Sequence, residues 1–322
     1  MSDTILQTIE LTKVFTARRG IFGTKKIENV AVNRVSLEIE KGETLGLVGE
    51  SGCGKSTLGL TIMRLYESDH GSILFDGKDI TTADEKRLKP IRKQIQMIFQ
   101  DPFASLDSHL TIEQILSEPF EIHNICTKTE RTEMCADLLE KVGLSSEDLS
   151  RFPSQFSGGQ QQRIAIARAL ALQPKLIICD EAVSSLDVSV QAQILNLLRD
   201  LQDEFGMSYL FISHNIAATA YMSKRIGVMY LGKLVEIGQT NQITNKPLHP
   251  YTKELLAAIP EPNPLNRENF TNLKGEPDEI NEIQKGCGYF KHCSKAQIAC
   301  TMEEPKLREV DENRQVACHF AD

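Results

Sequence analysis

Nine consecutive residues, Gly49-Glu50-Ser51-Gly52-Cys53-Gly54-Lys55-Ser56-Thr57, have the types and spacing to grip phosphate. They follow the apolar run Thr44-Leu45-Gly46-Leu47-Val48, which reads as a short buried strand. They precede residues 58–66, where apolar side chains recur at helical spacing. Strand, glycine-rich turn and helix is the context in which G-x-x-x-x-G-K-[ST] becomes a phosphate cradle. Gly49, Gly52 and Gly54 let the backbone turn tightly enough for successive N–H groups to converge on an anion. Ser51, Cys53 and Thr57 belong to the same cradle. Lys55 brings a point charge to the β- and γ-phosphates, and the Ser56 hydroxyl is placed to hold Mg²⁺. The helix start adds its partial positive charge beneath the same anion. A glycine-rich loop with an incidental lysine is the bland alternative, and its flanking strand and helix argue against it.

Two further stretches carry groups suited to phosphoryl transfer. Leu176-Ile177-Ile178-Cys179-Asp180-Glu181 is an apolar strand ending in two carboxylates. At the strand's end Asp180 would face the cradle as a Mg²⁺ partner, and Glu181 could polarise a water for in-line attack on the γ-phosphate. Alone, such a pair could equally be solvated strand-end acids. Ser157-Gly158-Gly159-Gln160-Gln161 opens a helix over 159–172, and small residues before a helix leave N–H groups able to take an anion. A second anion site beside one phosphate loop suggests a γ-phosphate shared between two subunits. The plain reading is an N-cap, Ser157, before an amphipathic helix.

The elements that must position these groups read as an α/β chain. Residues 4–15 and 30–40 alternate as strands, with a basic loop at 18–26 and a turn at Lys41-Gly42-Glu43. A hairpin is expected around 72–77 and a strand over 95–99. Between 111 and 172 the pattern turns helical, over 112–122, 130–142 and 159–172. Strands follow over 176–179 and 209–213, a helix over 190–205, and a hairpin over 226–237 turning at Gly232-Lys233. Apolar strands alternating with helices argue for a parallel-rich core with antiparallel pieces in front. Seven of the twelve prolines lie after Ile243, and 260–264 reads as a rigid linker, so a boundary is expected near Gly238. The 322 residues suit one large domain with an extension. A net charge of −8 argues against a large nucleic-acid footprint. There is no apolar run of membrane-spanning length and no secretory signal, so a cytosolic protein is expected, unless a partner holds it on a membrane. Of the eight cysteines, Cys53, Cys126, Cys135 and Cys179 read as small buried apolar residues.

Taken together, GESGCGKST, FSGGQQQR and LIICDEAVSSLD, with Gln100 in IFQDP and His214 in FISHN, resemble the ATP-binding subunits of ABC transporters. The resemblance runs from the first strand to the last cysteine. It implies a P-loop nucleotide-binding core over 1–240 with an antiparallel β subdomain and a helical subdomain at about 105–172, then a C-terminal extension over 241–322. It implies that Gln100 contacts Mg²⁺ and senses a transmembrane partner. His214 would contact the γ-phosphate and orient it against Glu181, Asp187 would communicate across a dimer, and Phe15 would stack on adenine. Two departures stand out. Gln161 occupies a position more usually arginine, and Ala182 one more usually proline. Neither touches phosphate in the family picture, so ATPase activity is expected.

The tail carries its own signal. Cys287, Cys293, Cys300 and Cys318 are spaced C-x5-C-x6-C-x17-C in a segment with little expected core, where a metal would supply folding free energy. Closed zinc sites more often use tighter pairs, and looser all-cysteine spacing fits an iron–sulfur cluster at least as well. Four buried free cysteines are the bland alternative. The sequence His249-Pro250-Tyr251-Thr252 and the cysteine tail resemble the extension of dipeptide and oligopeptide importer ATPases, where the pattern is associated with a [4Fe–4S] cluster. That resemblance implies two permease subunits, a second ATPase subunit (identical or not), an external binding protein acting indirectly, and a peripheral place on the cytoplasmic face of the membrane. A related importer of nickel or another small solute is one alternative; a soluble ABC protein acting on ribosomes or DNA is the other.

Overall fold

The computed structural model describes residues 3–19, 25–258 and 285–321; the expected linker at 260–264 lies outside them. In chain order the elements are β1 (Thr4–Arg19), β2 (Lys25–Glu40), β3 (Thr44–Val48), α1 (Lys55–Ile62), β4 (His70–Phe75), β5 (Lys78–Asp79), α2 (Glu85–Arg92), β6 (Ile95–Ile98) and α3 (Pro102–Ser105). Next come α4 (Ile112–Ile122), α5 (Lys128–Lys141), α6 (Gly158–Leu170), β7 (Leu176–Asp180), α7 (Val188–Phe205), β8 (Ser208–Ser213) and α8 (Ile216–Met222). The chain closes with β9 (Arg225–Tyr230), β10 (Lys233–Gln239), α9 (Thr240–Asn245), α10 (Pro250–Ala257), α11 (Ile298–Met302), β11 (Arg308–Asp311) and β12 (Arg314–Val316). The chain folds as two compact units, one drawn from residues 1–5, 39–43 and 83–212, the other from 6–38, 44–82 and 213–322.

In the first unit β6, β7 and β8 run parallel, with Ile95 opposite Leu176 and Cys179 opposite Phe211. All residues of β7 and β8 are buried, as expected of parallel strands covered on both faces. The helical stretch is made from well-capped helices. Thr111 with Gln114, Thr127 with Glu130, and Ser157 with Gln160 each form a capping box. Helix α6 packs on β6 and on α3, α4, α5 and α7. Gln161 is buried there, and its Nε2 donates to the Pro153 and Phe156 carbonyls at 2.9 and 3.2 Å. The amide so fits a position where a charge would have to be desolvated.

In the second unit β2, β1, β4 and β5 form one sheet in that order, with β4 antiparallel to both β1 and β5. A separate ladder pairs β3 with β9 in parallel, β9 with β10, β10 with β12 and β12 with β11 antiparallel. The extension therefore does not stand apart with little core. Strand β12 is hydrogen-bonded to β10, and Tyr289, Cys287 and Cys293 pack on the same core as Val48, Val228 and Tyr230.

Three local expectations are corrected. The helix expected over 58–66 starts at Lys55 and ends at Ile62, because the Leu58 N–H already reaches the Gly54 carbonyl and Arg64 turns left-handed at φ 57°. The first two strands extend beyond 4–15 and 30–40, to Arg19 and back to Lys25. Cys126 is exposed rather than buried, in a turn at φ 78° just before the Thr127 cap.

The costliest group in the second unit is Glu236 of β10, which is wholly buried. Its carboxylate accepts the Leu248 and His249 N–H groups, both at 3.0 Å, and the Arg314 guanidinium at 2.5 Å. Removing Arg314 alone would leave a buried charge uncompensated. Arg314→Met is expected to lower the unfolding free energy by about 3–5 kcal/mol, with Glu236→Gln added to it restoring part of the loss. Urea denaturation checks this, and a loss below about 1 kcal/mol would contradict it.

Candidate functional site

The phosphate loop lies wholly in the second unit, between β3 and α1. Gly54 sits at φ 105°, and a Cβ there would lie 2.0 Å from the Ala31 carbonyl oxygen. At Gly49 a Cβ would lie 2.2 Å from the Met229 carbonyl oxygen. Backbone from β2 and β9 thus presses on the loop from outside, and only glycine satisfies both positions. Lys55 is buried inside this turn. Its ammonium donates to the Gly49 and Glu50 carbonyls at 2.7 and 2.8 Å and approaches Cys53 Sγ at 3.6 Å. Burial raises the Cys53 thiol pKa, and neighbouring Lys55 offsets part of that rise. Ser51 and Gly52 are exposed, while Ser56 and Thr57 are half-buried on the first turn of α1. These positions give a glycine-held turn, a buried cation and a half-buried hydroxyl, the group types that binding of a nucleoside polyphosphate with Mg²⁺ calls for.

Phe15 and His214 belong to the same unit. Phe15 is partly exposed on β1, its ring edge-on to Tyr66 at 5.3 Å with the Lys13 ammonium 5.5 Å from its centroid. His214 is exposed just beyond β8, where Asn215 caps α8 through the Ala218 N–H.

The first unit holds the acidic groups. Asp180 ends β7 buried, opposite Ile212. Glu181 follows at φ 49°, a left-handed conformation that costs a non-glycine residue about 1 kcal/mol or more. Three hydrogen bonds hold it there. Its N–H donates to the Ile212 carbonyl at 2.9 Å, and its own carbonyl accepts from the N–H and the hydroxyl of Ser184, each at 3.0 Å. The structure brings Gln100 to the same place: its Nε2 donates to Glu181 Oε2 at 3.2 Å. With the amide's donor end on the carboxylate, its carbonyl is the end suited to a cation. Ala182, at the position where the family more often has proline, is buried.

At the start of α6, the Ser157 hydroxyl and the Gln160 side chain are engaged in the helix's own cap, with the Ser157 N–H donating to Gln160 Oε1 at 2.9 Å. Gly158 and Gly159 occupy the first two helical positions. A Cβ at Gly159 would come 2.5 Å from Val190 Cγ1, so part of the reason for glycine there is packing against α7. Asp187 is exposed at the N-cap of α7.

In the second unit, Cys287, Cys293, Cys300 and Cys318 line one partly open pocket, whose walls include Tyr289 and His249. Burial pushes the Cys287 thiol up to about 11; a backbone hydrogen bond offsets part of this, and the other three sulfurs add to it. Among the described residues, no three His, Cys, Asp or Glu side chains gather closely enough to hold a metal ion. Sequence reasoning missed one contact at the phosphate loop altogether. The Glu50 N–H donates to the Tyr251 hydroxyl at 3.0 Å, a bond between residues 201 positions apart. No local signal could have revealed it.

Comparison with known proteins gives consistent matches. A model of the ABC transporter family matches residues 32–184, and one of the oligopeptide/dipeptide transporter C-terminal region matches 235–300. The chain is 48% identical over 322 residues to the oligopeptide transport ATP-binding protein AppF of Bacillus subtilis (strain 168), covering 99% of this chain and 98% of that protein. It is 42% identical over 321 residues to the di/tripeptide transport ATP-binding protein DppF of Pseudomonas aeruginosa (strain UCBPP-PA14), covering 99% and 98%. Among solved structures, cbiO1 from Clostridium perfringens, part of the ABC transporter complex cbiONQ, superposes with a TM-score of 0.65 at 28% identity, covering 76% of this chain and 92% of that one. A dimeric, post-hydrolysis ATP-binding cassette, MJ0796 bound to ADP and Pi, superposes with a TM-score of 0.64 at 29% identity, covering 73% and 98%.

Proposed function

This chain belongs to the ABC transporter family as an ATP-hydrolysing, ATP-binding subunit, and we propose that it powers the uptake of di- or oligopeptides through membrane permease partners. The observation that carries the cargo class is the match over the C-terminal region together with the peptide-transport relatives aligned along the whole chain. No helix among the described residues is long and apolar enough to cross a membrane, so the passage itself would be formed by other subunits.

In this reading the loop from Gly49 to Thr57 takes the β- and γ-phosphates, with the Lys55 ammonium shared between the loop carbonyls and the phosphate oxygens. Ser56, Gln100 and Asp180 would hold Mg²⁺, which supplies charge neutralisation for the phosphates. Glu181 accepts a proton from the attacking water as the new bond to the γ-phosphorus forms. The bond from that phosphorus to the bridging oxygen of ADP breaks, and the electron pair leaves with ADP. Gln100, donating to Glu181 Oε2, fixes the carboxylate's orientation. His214 is the group that would meet the γ-phosphate, and Phe15 the ring that would meet adenine. A second ATPase subunit would present its own Ser157-Gly158-Gly159-Gln160 turn to this nucleotide, with Asp187 beside the junction. ATP would then close two subunits and its hydrolysis would part them, working the permeases at the inner face of the membrane.

The four extension cysteines suit a [4Fe–4S] cluster better than zinc. Closed zinc sites more often use tighter cysteine pairs than the C-x5-C-x6-C-x17-C spacing of this tail. A [4Fe–4S] cluster would accept this looser all-cysteine spacing, and the four cysteines line one pocket. Cys287, Cys293, Cys300 and Cys318 would hold it, and it would act there as a structural staple.

Glu181→Gln is expected to leave MgATP binding intact, reduce turnover by at least about 100-fold and accumulate an ATP-bound dimer. Steady-state ATPase assays with size-exclusion chromatography check this, and unchanged turnover would refute the assignment of Glu181. Protein purified without oxygen is expected to be brown, with about four irons per chain. A colourless protein with one zinc per chain would refute the cluster.

A further inference from the structure

We propose that Tyr251 is a positioning residue for the phosphate loop, setting the peptide whose carbonyl holds the Lys55 ammonium. One peptide group joins Gly49 to Glu50, and it is bonded on both edges. Its N–H donates to the Tyr251 hydroxyl at 3.0 Å, and its carbonyl, that of Gly49, accepts from Lys55 Nζ at 2.7 Å. A trans peptide is planar, with its N–H and C=O pointing to opposite sides. Fixing the N–H on one side therefore fixes where the carbonyl points on the other. Without the phenol oxygen the plane is free to tilt, and the lysine anchor tilts with it.

Tyr251 is itself held against such movement. Its side chain is 1% exposed, with its ring 4.6 Å from that of Tyr230 and 5.5 Å from that of Tyr289. Its backbone N–H donates to Nδ1 of His249, the cap of α10, at 3.1 Å. Burial lowers the His249 pKa to about 4, so the ring is neutral at neutral pH and its Nδ1 can accept this bond. The His249 and Leu248 N–H groups rest in turn on the Glu236 carboxylate. A tightly determined element of the extension thus ends on a loop peptide that also grips the lysine.

The inference rests on the reading of the loop as the nucleotide cradle, and its test separates the two. Tyr251→Phe keeps the ring and its packing and removes only the acceptor. Amide hydrogen exchange at Glu50 is expected to accelerate, affinity for MgATP to fall about three- to ten-fold, and KM for ATP to rise by a similar factor, with kcat changed less than about two-fold. Thermal stability measured without nucleotide is expected to stay close to that of the wild type, which separates positioning from a general loss of structure. Unchanged Glu50 exchange and unchanged affinity would overturn the inference while leaving the cradle in place. A wild-type protein that bound no MgATP would overturn both.

Discussion

The nucleotide end of this protein depends on a backbone turn with no room for side chains. The Ala31 carbonyl stands where a Cβ on Gly54 would be, and the Met229 carbonyl where one on Gly49 would be. Held between them, the loop closes on a buried lysine ammonium, a charge that would be costly to bury if it were not bonded to the Gly49 and Glu50 carbonyls. In the proposed function the ammonium would exchange loop oxygens for phosphate oxygens without first being recruited from water, which would make the cradle preorganised for its ligand.

A comparable economy holds Glu181. Its left-handed backbone is strained, and the Ile212 carbonyl with both donors of Ser184 keeps it in place. Such strain persists where surrounding structure over-determines it, and it concentrates at positions that do chemistry. Gln100 then aims the carboxylate from the side-chain end. Backbone and side chain are therefore fixed by different neighbours, so a change to either set would displace the proposed base by a different route.

Much of the proposed nucleotide site is legible in the sequence because its parts are contiguous. The phosphate loop, the acidic end of β7 and the capped start of α6 are each a few residues long, and flanking periodicity places them on strand ends and helix starts. What is not legible has a common cause in long-range packing. The Glu50–Tyr251 bond joins residues 201 apart, and Glu236 finds Arg314 78 positions away. Tyr251 lies within a recognisable motif, yet nothing in its neighbours says that its hydroxyl meets the loop. Gly159 has the marks of an anion-binding glycine and is also a packing glycine against Val190. The cysteine tail reads as short of core because its partners, β10 and the Tyr230 cluster, precede it in the chain. Cys126 departs from expectation for the opposite reason: a turn exposes a residue whose type alone suggests burial.

The most direct measurement is a crystal structure of the protein saturated with Mg²⁺ and a non-hydrolysable ATP analogue. The expected result is β- and γ-phosphate density inside the turn from Gly49 to Thr57, with Lys55 Nζ drawn onto phosphate oxygens. Nucleotide seated elsewhere, or a saturated protein in which Lys55 contacts only the Gly49 and Glu50 carbonyls, would contradict it.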